Sequence, residues 1–400
     1  MNSRDRCLLS LHHREPDRVP FDLAGSAQTG IHLTAYAILR RYLGLPERET
    51  ELRNLIGQIA EPDEDLLDRL QVDTRFITQR APLLWRTLLD GNRDGLNLRE
   101  EGDSWAFTDE WGIGWRMPKE GGFYFDMVRH PLDGDNAEEY ERNYSWPDPL
   151  APRRFESLRE RIQGARRMGK LVVLNGPCAG ILEVYSWLRG YLRFYLDLAE
   201  SPRMVEMFLD KLLEFKSAFW TRALAEFGDS VDVVNEADDM AGQNGLLLSP
   251  DTYRRLIKPR HARLFAAIKK AAPQVKIFFH SCGAIRPLIP DLIEAGVDIL
   301  NPVQISAKGM NPFELKRDFG KDLVFWGGGV DTQGIFTTGS PQEIRDHVKR
   351  NIEALAPGGG FVFATVHNTQ ANVPPQNFMA MWETLQEYGI YYEMTAFSDR

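Results

Sequence analysis

Cysteine is scarce in this 400-residue chain. Cys7, Cys178 and Cys282 are the only three, an odd set that builds no disulfide framework and points to a reducing compartment. No stretch approaches the ~18 consecutive apolar residues of a membrane span. Positive charge is also in deficit: 48 Lys and Arg stand against 57 Asp and Glu, a net charge of −9. A surface that neutralises nucleic-acid phosphates needs the opposite balance, so nucleic acid is not an expected partner. The early apolar stretch Cys7-Leu8-Leu9-Ser10-Leu11 is too short for a signal peptide. Neither a dinucleotide glycine fingerprint nor a P-loop occurs between a strand and a helix, and the G-x-S-x-G turn of a serine hydrolase is absent. With 43% hydrophobic and 26% charged residues, the chain can bury a large core. These features predict a soluble cytoplasmic enzyme.

What is present is a rhythm of short apolar runs, turns and helical stretches. Strands are predicted over 19–22, 72–77, 171–175, 231–235, 276–280, 297–301, 323–326 and 361–364. Several are continuously apolar, as in Ile277-Phe278-Phe279, which suits strands buried on both faces of a parallel sheet. Helices are predicted over 203–227, over 252–272 behind the cap Ser249-Pro250-Asp251, and over 344–355 behind Ser340-Pro341-Gln342-Glu343. Eight strands alternating with helices predict an α/β (β/α)8 barrel spanning 1–400 as one domain, with an N-terminal extension. Residues 78–167 break the rhythm and gather Trp85, Trp105, Trp111, Trp115 and Trp146. They read as an insertion after the second strand that folds over the barrel mouth, its aromatics forming a packed sub-core.

Active sites of such barrels lie at the C-terminal ends of the strands. His280-Ser281-Cys282 falls there, and residues two apart in an extended segment face the same side. His367 follows the last strand. A His/Cys/His set gives zinc three protein ligands and leaves a fourth position open, the arrangement of catalytic zinc. Zinc so held stabilises the anionic form of a thiol, alcohol or ether oxygen and favours alkyl transfer. Glu236 and Asp238, in Asn235-Glu236-Ala237-Asp238-Asp239, are candidates for acid/base work. Asp22, Asn175 and Asn301 at strand ends, with Gln243 and Gln304 on the loops beyond, are expected to bind substrate. His12, His13, His32, His130, His261 and His347 are expected to face solvent, and Cys7 and Cys178 to be structural.

These residues carry a resemblance. Arg14-Glu15-Pro16-Asp17-Arg18-Val19-Pro20, Asn175-Gly176-Pro177, Ser249-Pro250-Asp251-Thr252-Tyr253, Ile257-Lys258-Pro259, His280-Ser281-Cys282-Gly283, Asp298-Ile299-Leu300-Asn301-Pro302-Val303-Gln304 and Val373-Pro374-Pro375-Gln376-Asn377 are similar to segments of the uroporphyrinogen decarboxylase-like superfamily. The resemblance implies a (β/α)8 barrel. Porphyrinogen decarboxylases carry an arginine-rich segment and an F-S-D aspartate. Here Arg18-Val19-Pro20-Phe21-Asp22-Leu23-Ala24-Gly25-Ser26 and Ile77-Thr78-Gln79-Arg80 stand in those places, so that activity is not expected. The zinc-dependent corrinoid methyltransferase branch resembles the chain better. Its H-x-C matches His280 and Cys282, and its later cysteine aligns with His367, where this chain departs from the pattern.

The resemblance therefore implies zinc on His280, Cys282 and His367, and transfer of a methyl group between a small substrate and a corrinoid. The substrate is a methoxylated aromatic, a methylated amine, or a thiol or folate acceptor. The D-x-H-x-x-G run of a corrinoid module is missing, so the corrinoid belongs to a partner protein; a homodimer is a further expectation. Two other readings stand beside this one. One is a metal-free lyase using Asp22, Glu236 and His367, and the other is a non-catalytic barrel that binds a tetrapyrrole or corrinoid.

Overall fold

The computed structural model describes residues 1–23, 28–79, 83–85, 88, 97–134 and 142–391. Seven parallel strands form one curled sheet: β1 (Thr74–Ile77), β2 (Leu171–Asn175), β3 (Val233–Ala237), β4 (Lys276–His280), β5 (Ile299–Asn301), β6 (Val324–Trp326) and β7 (Phe361–Val362). Each pairs with its successor in the sequence, the order of a barrel rather than of a doubly wound sheet. The register places Glu236 of β3 beside Phe279 of β4, and His280 of β4 beside Asn301 of β5. Polar strand ends are thereby aligned on one rim.

The first predicted strand, 19–22, is reduced to a bridge, because Pro20 has no N–H to give a ladder. It nonetheless closes the ring. Phe363 N donates to Pro20 O at 2.9 Å, Asp22 N donates to Phe363 O at 2.9 Å, and Asp73 N donates to Phe21 O at 2.9 Å. All eight predicted strands thus occupy the barrel wall in the predicted order. Across the opposite, N-terminal end lies the helix Ser3–Leu11, the expected extension. It is tied down by Arg4 to Asp232 at 2.8 Å and Arg6 to Asp73 at 2.7 Å.

The helix Pro202–Phe227 forms as the apolar spacing predicts, burying Val205, Phe208, Leu209, Leu212 and Leu213. The predicted helix over 252–272 forms as an unbroken helical run to Ala271, but not as α-helix throughout. Pro259 removes one backbone donor, and the chain makes a π-turn over Tyr253–Ile257 before the α-helix Lys258–Ala271. The insertion carries an antiparallel sheet of Arg99–Glu101, Ser104–Thr108, Gly114–Pro118 and Asp126–Arg129. Trp111 and Trp115 are buried in it, Trp111 against Phe215 at 5.0 Å and Trp115 against Trp187 at 5.8 Å between ring centroids. No helix among the described residues is long and apolar enough to cross a membrane.

Candidate metal centre at the barrel mouth

His280 is the last residue of β4 and is buried; Cys282, two residues on, and His367, beyond β7, are half-buried. One ligand atom from each lies within 4.8 Å of the others, and Cys282 Sγ is 3.3 Å from His280 Nε2. The backbone builds this cluster deliberately. Gly283 follows Cys282 at φ +86°, and a Cβ there would lie 2.5 Å from the carbonyl oxygen of Ala241, so only glycine lets the turn pack this closely. His367 itself sits at φ 74°, a left-handed conformation that costs about 1–3 kcal/mol outside glycine and tends to persist at functional sites.

Asn301 sets the direction of His280. Its Oδ1 lies 2.5 Å from His280 Nδ1, while its Nδ2 donates to Trp326 O at 2.7 Å. The amide is thus oriented from behind, His280 carries its proton on Nδ1, and Nε2 keeps a lone pair facing Cys282 and His367. Burial and the neighbouring His280 imidazole push His367 down to about 4, so that ring also offers a lone pair at neutral pH. Burial, with Asp239 and Glu183 nearby, holds the Cys282 thiol well above its ordinary value. Two imidazoles and one thiol converging on one point, with an outer hydrogen bond fixing the first ring, fit zinc. Asn301→Ala is expected to weaken zinc binding by about 10–100-fold without removing it, read by competition with a chelator.

The structure sorts the remaining candidates. Asn301 was expected to bind substrate; with zero exposure and both amide ends committed, it positions His280 instead. Asp22 is also sealed in the barrel, accepting from Thr74 Oγ1 at 2.6 Å and Trp326 Nε1 at 2.8 Å, so it has no access to a substrate. Asp238 is removed from acid/base work by the same argument. It is wholly buried, caps the helix Ile181–Arg189 through Leu182 N at 3.0 Å and Glu183 N at 2.8 Å, and contacts His261 Nε2 at 2.9 Å. His261 is consequently buried rather than solvent-facing, as is His32.

Glu236 reaches the cavity wall but is clamped. Lys216 Nζ lies 2.9 Å from one of its oxygens and Trp220 Nε1 donates to the other at 2.5 Å. Lys216 and Trp220 are four apart on one face of their helix, which is why both reach the same carboxylate. Asn175 lines the cavity too and accepts from Asn235 Nδ2 at 2.7 Å. Gln304 is buried and accepts from Gly283 N at 2.6 Å, bracing the turn after Cys282. Gln243 is exposed and pairs with Gln333.

Two residues outside the expected set stand beside the triad. Asp239 accepts from Cys282 N at 2.7 Å and lies 3.7 Å from His280 Nε2. Glu183 lines the same cavity, and burial together with the Asp239 and Asp238 carboxylates pushes it well above the usual carboxylate range. Glu183 stands in the first turn of the helix Ile181–Arg189, where its Oε2 accepts from Gly180 N at 3.2 Å, and no motif in the sequence sets it apart. Lys216 left a clearer trace, as a lone lysine on the apolar stripe of a long helix. Arg80 and Ala24-Gly25-Ser26, compared above with the decarboxylase segments, lie outside the described residues.

The triad separates two cavities. The inner one, about 430 Å³, reaches His280 and His367 and is walled by Glu183, Glu236, Asp239 and Asn235, with Trp111 and Trp187. The outer one, about 650 Å³, reaches Cys282 and His367 and is lined by Gln243, Gln304, Gln333, Gln370, Asn372 and Thr332, with no charged side chain among the described residues. His367 faces both.

A methyltransferase from Methanosarcina mazei shares the fold. It aligns over 97% of this chain and 99% of its own, at 19% identity and a TM-score of 0.64. Xylanase 10B from Thermotoga maritima aligns over 64% of this chain and 91% of its own, at 14% identity and a TM-score of 0.36. No curated protein matches the sequence. The family model described as uroporphyrinogen decarboxylase (URO-D) matches residues 109–388, most of the chain and all of the described metal cluster. The chain belongs to the uroporphyrinogen decarboxylase family.

Proposed function

We propose that this protein is a zinc-dependent methyltransferase that moves a methyl group between a small methylated substrate and a corrinoid carried by a partner protein. The observation that carries the reading is the position of His280, Cys282 and His367 between two separate chambers. A transfer enzyme needs its reacting centre open to donor and acceptor at once, and this wall is open to both. The fold shared with a methyltransferase supports the same assignment. The outer chamber, whose described lining offers amides and hydroxyls without charge, suits the amide-fringed edge of a corrin ring, which is the argument for a corrinoid acceptor. All three cysteines are free, which supports a reducing, cytoplasmic setting.

Zinc at this site would supply a Lewis acid that stabilises the electron pair left on the heteroatom as the methyl group departs. The chain does the rest. Asn301 holds His280 in one tautomer, and Asp239 anchors the Cys282 amide. Glu236 is a fixed charge, held by Lys216 and Trp220, rather than a mobile proton carrier. A metal-free acid/base mechanism has less support, because Asp22 is sealed and Glu236 has both oxygens engaged.

The pH dependence of zinc uptake tests the ligand set. The thiol of Cys282 is held above its ordinary value and is protonated at neutral pH, so thiolate ligation must expel a proton. His367, pushed down to about 4, expels none above pH 5. Zinc affinity is therefore expected to fall about tenfold or more per pH unit between pH 8 and 6, with release of at least one proton per zinc. A pH-independent affinity over that range would place the metal away from Cys282. Methyl transfer to a reduced corrinoid, followed by its absorbance, tests the activity itself.

A further inference from the structure

The outer chamber has an aromatic wall that the metal cluster does not use. Phe123 lies in the hairpin turn between the insertion strands Gly114–Pro118 and Asp126–Arg129, and it lines this chamber with 46% of its surface exposed. Single exposed apolar residues are ordinary, but this one is held in place. Gly121, at φ +71°, and Gly122, where a Cβ would lie 2.3 Å from Pro118 O, let the chain turn tightly enough to bring it there. The buried His32 then fixes its backbone. Thr34 N donates to His32 Nδ1 at 3.1 Å, so the ring proton sits on Nε2, which donates to Phe123 O at 3.1 Å. The two rings meet edge to face at 5.9 Å between centroids.

A separate set of contacts ties this aromatic wall to the metal cluster. His32 N donates to Thr369 O at 3.0 Å, and the Tyr124 hydroxyl donates to Gln370 Oε1. Thr369 and Gln370 lie two and three residues beyond the ligand His367. Phe123 therefore stands at a fixed place relative to the ligand set, in a chamber it shares with Gln304, Gln333, Gln370 and Asn372. A phenyl ring, an uncharged set of amides and a volume of about 650 Å³ suit a broad, flat ligand with apolar faces and amide edges. A small methylated molecule leaves most of that volume empty, and a charged one meets no counter-ion in the described lining.

Resting on the methyl-transfer reading, we propose that Phe123 is the platform on which the corrin ring is seated in the outer chamber, and that His32 positions it. One face of the macrocycle lies against the phenyl ring, and its amide side chains meet the glutamines. The contact is with the ring itself, so neither the nucleotide tail of the corrinoid nor the protein that carries it is required for binding. Burial holds His32 below its ordinary value, which keeps the ring neutral and its single proton on the Phe123 carbonyl at pH 7.

Equilibrium dialysis of methylcobinamide, a corrin without the nucleotide tail, against the zinc-loaded full chain tests this through the visible absorbance of the ring. Saturable binding at one site per chain is expected, with methylcobalamin competing and methoxybenzene not. Phe123→Ser, at an exposed position, is expected to weaken binding about fivefold or more with zinc content and circular dichroism unchanged, and Phe123→Trp to retain it. His32→Leu, which removes the donor at Phe123 O, is expected to weaken binding in the same direction, and His32→Gln, which can still donate, to lose less. No saturable binding by the parent, equal affinity of Phe123→Ser and the parent, or a Phe123-dependent site filled by methoxybenzene in place of the corrin would overturn the inference. Zinc content and methyl transfer on the same samples separate it from its premise. A zinc-bearing chain that methylates a protein-bound corrinoid at the same rate with and without Phe123 overturns the inference alone. A chain that binds methylcobinamide through Phe123, yet transfers no methyl group, overturns the methyl-transfer reading and leaves the corrin seat standing.

Discussion

Cys282→Ala is expected to lose zinc and methyl transfer together while remaining folded. The thiol is the one soft donor of the cluster and the one ligand that lines the outer chamber without also lining the inner one. Losing even an outer-shell partner of a metal ligand costs about 10–100-fold in affinity, so removing the thiolate itself is expected to cost at least ~100-fold. Transition-state stabilisation by a bound metal amounts to several kcal/mol, so methyl transfer is expected to fall by about a thousandfold or more. Cys282 is half-buried at a turn held by Gly283 and Gln304, and truncation to alanine leaves those contacts in place. Metal analysis, circular dichroism and a corrinoid absorbance assay on one preparation read all three effects. Retention of zinc and of rate by the folded variant would remove Cys282 from the centre.

The second large effect is on stability. Lys216 has no exposed surface and faces Glu236 at 2.9 Å, with further bonds to Ala179 O at 2.7 Å and Cys178 O at 3.2 Å. Lys216→Met keeps the bulk and deletes the charge, which strands an ionised carboxylate inside the barrel. Breaking one side of a buried pair in this way costs about 3–5 kcal/mol, and urea unfolding is expected to show a loss of that size. Adding Glu236→Gln to the same chain is expected to restore part of it, because the stranded charge is then gone. A double-mutant cycle isolates the coupling. If Lys216→Met lowers stability by less than about 1 kcal/mol, Glu236 is compensated from elsewhere and the clamp is not its organiser.

Much of this molecule can be read from its residues because barrel strands are local, continuous apolar runs. All eight predicted strands lie in the wall, and the H-x-C at the end of the fifth, with His367 after the eighth, comes together as its spacing implies. What escapes such reading depends on side-chain direction across the barrel. Asn301 and Asp22 stand at strand ends, where substrate groups belong, yet β5 and β6 turn the first toward His280 and the indole of Trp326 captures the second. Asp238 and Asp239 are neighbours in the sequence, and alternation along the chain sends one into a helix N-terminus and the other to the metal cluster. No periodicity in the sequence distinguishes the two. Glu183 looks like any first-turn glutamate until the fold sets it opposite Asp239. The predicted helix over 252–272 forms, and only its π-turn over Tyr253–Ile257, ahead of Pro259, leaves no mark in the apolar spacing.

The central claim is that His280, Cys282 and His367 hold one zinc ion with a fourth position open. X-ray absorption at the zinc edge, on protein loaded with one equivalent, tests it most directly. The account predicts a single sulfur at about 2.3 Å, with the remaining shell made of nitrogen or oxygen at about 2.0–2.1 Å. A shell without sulfur, or one with two or more, would contradict it.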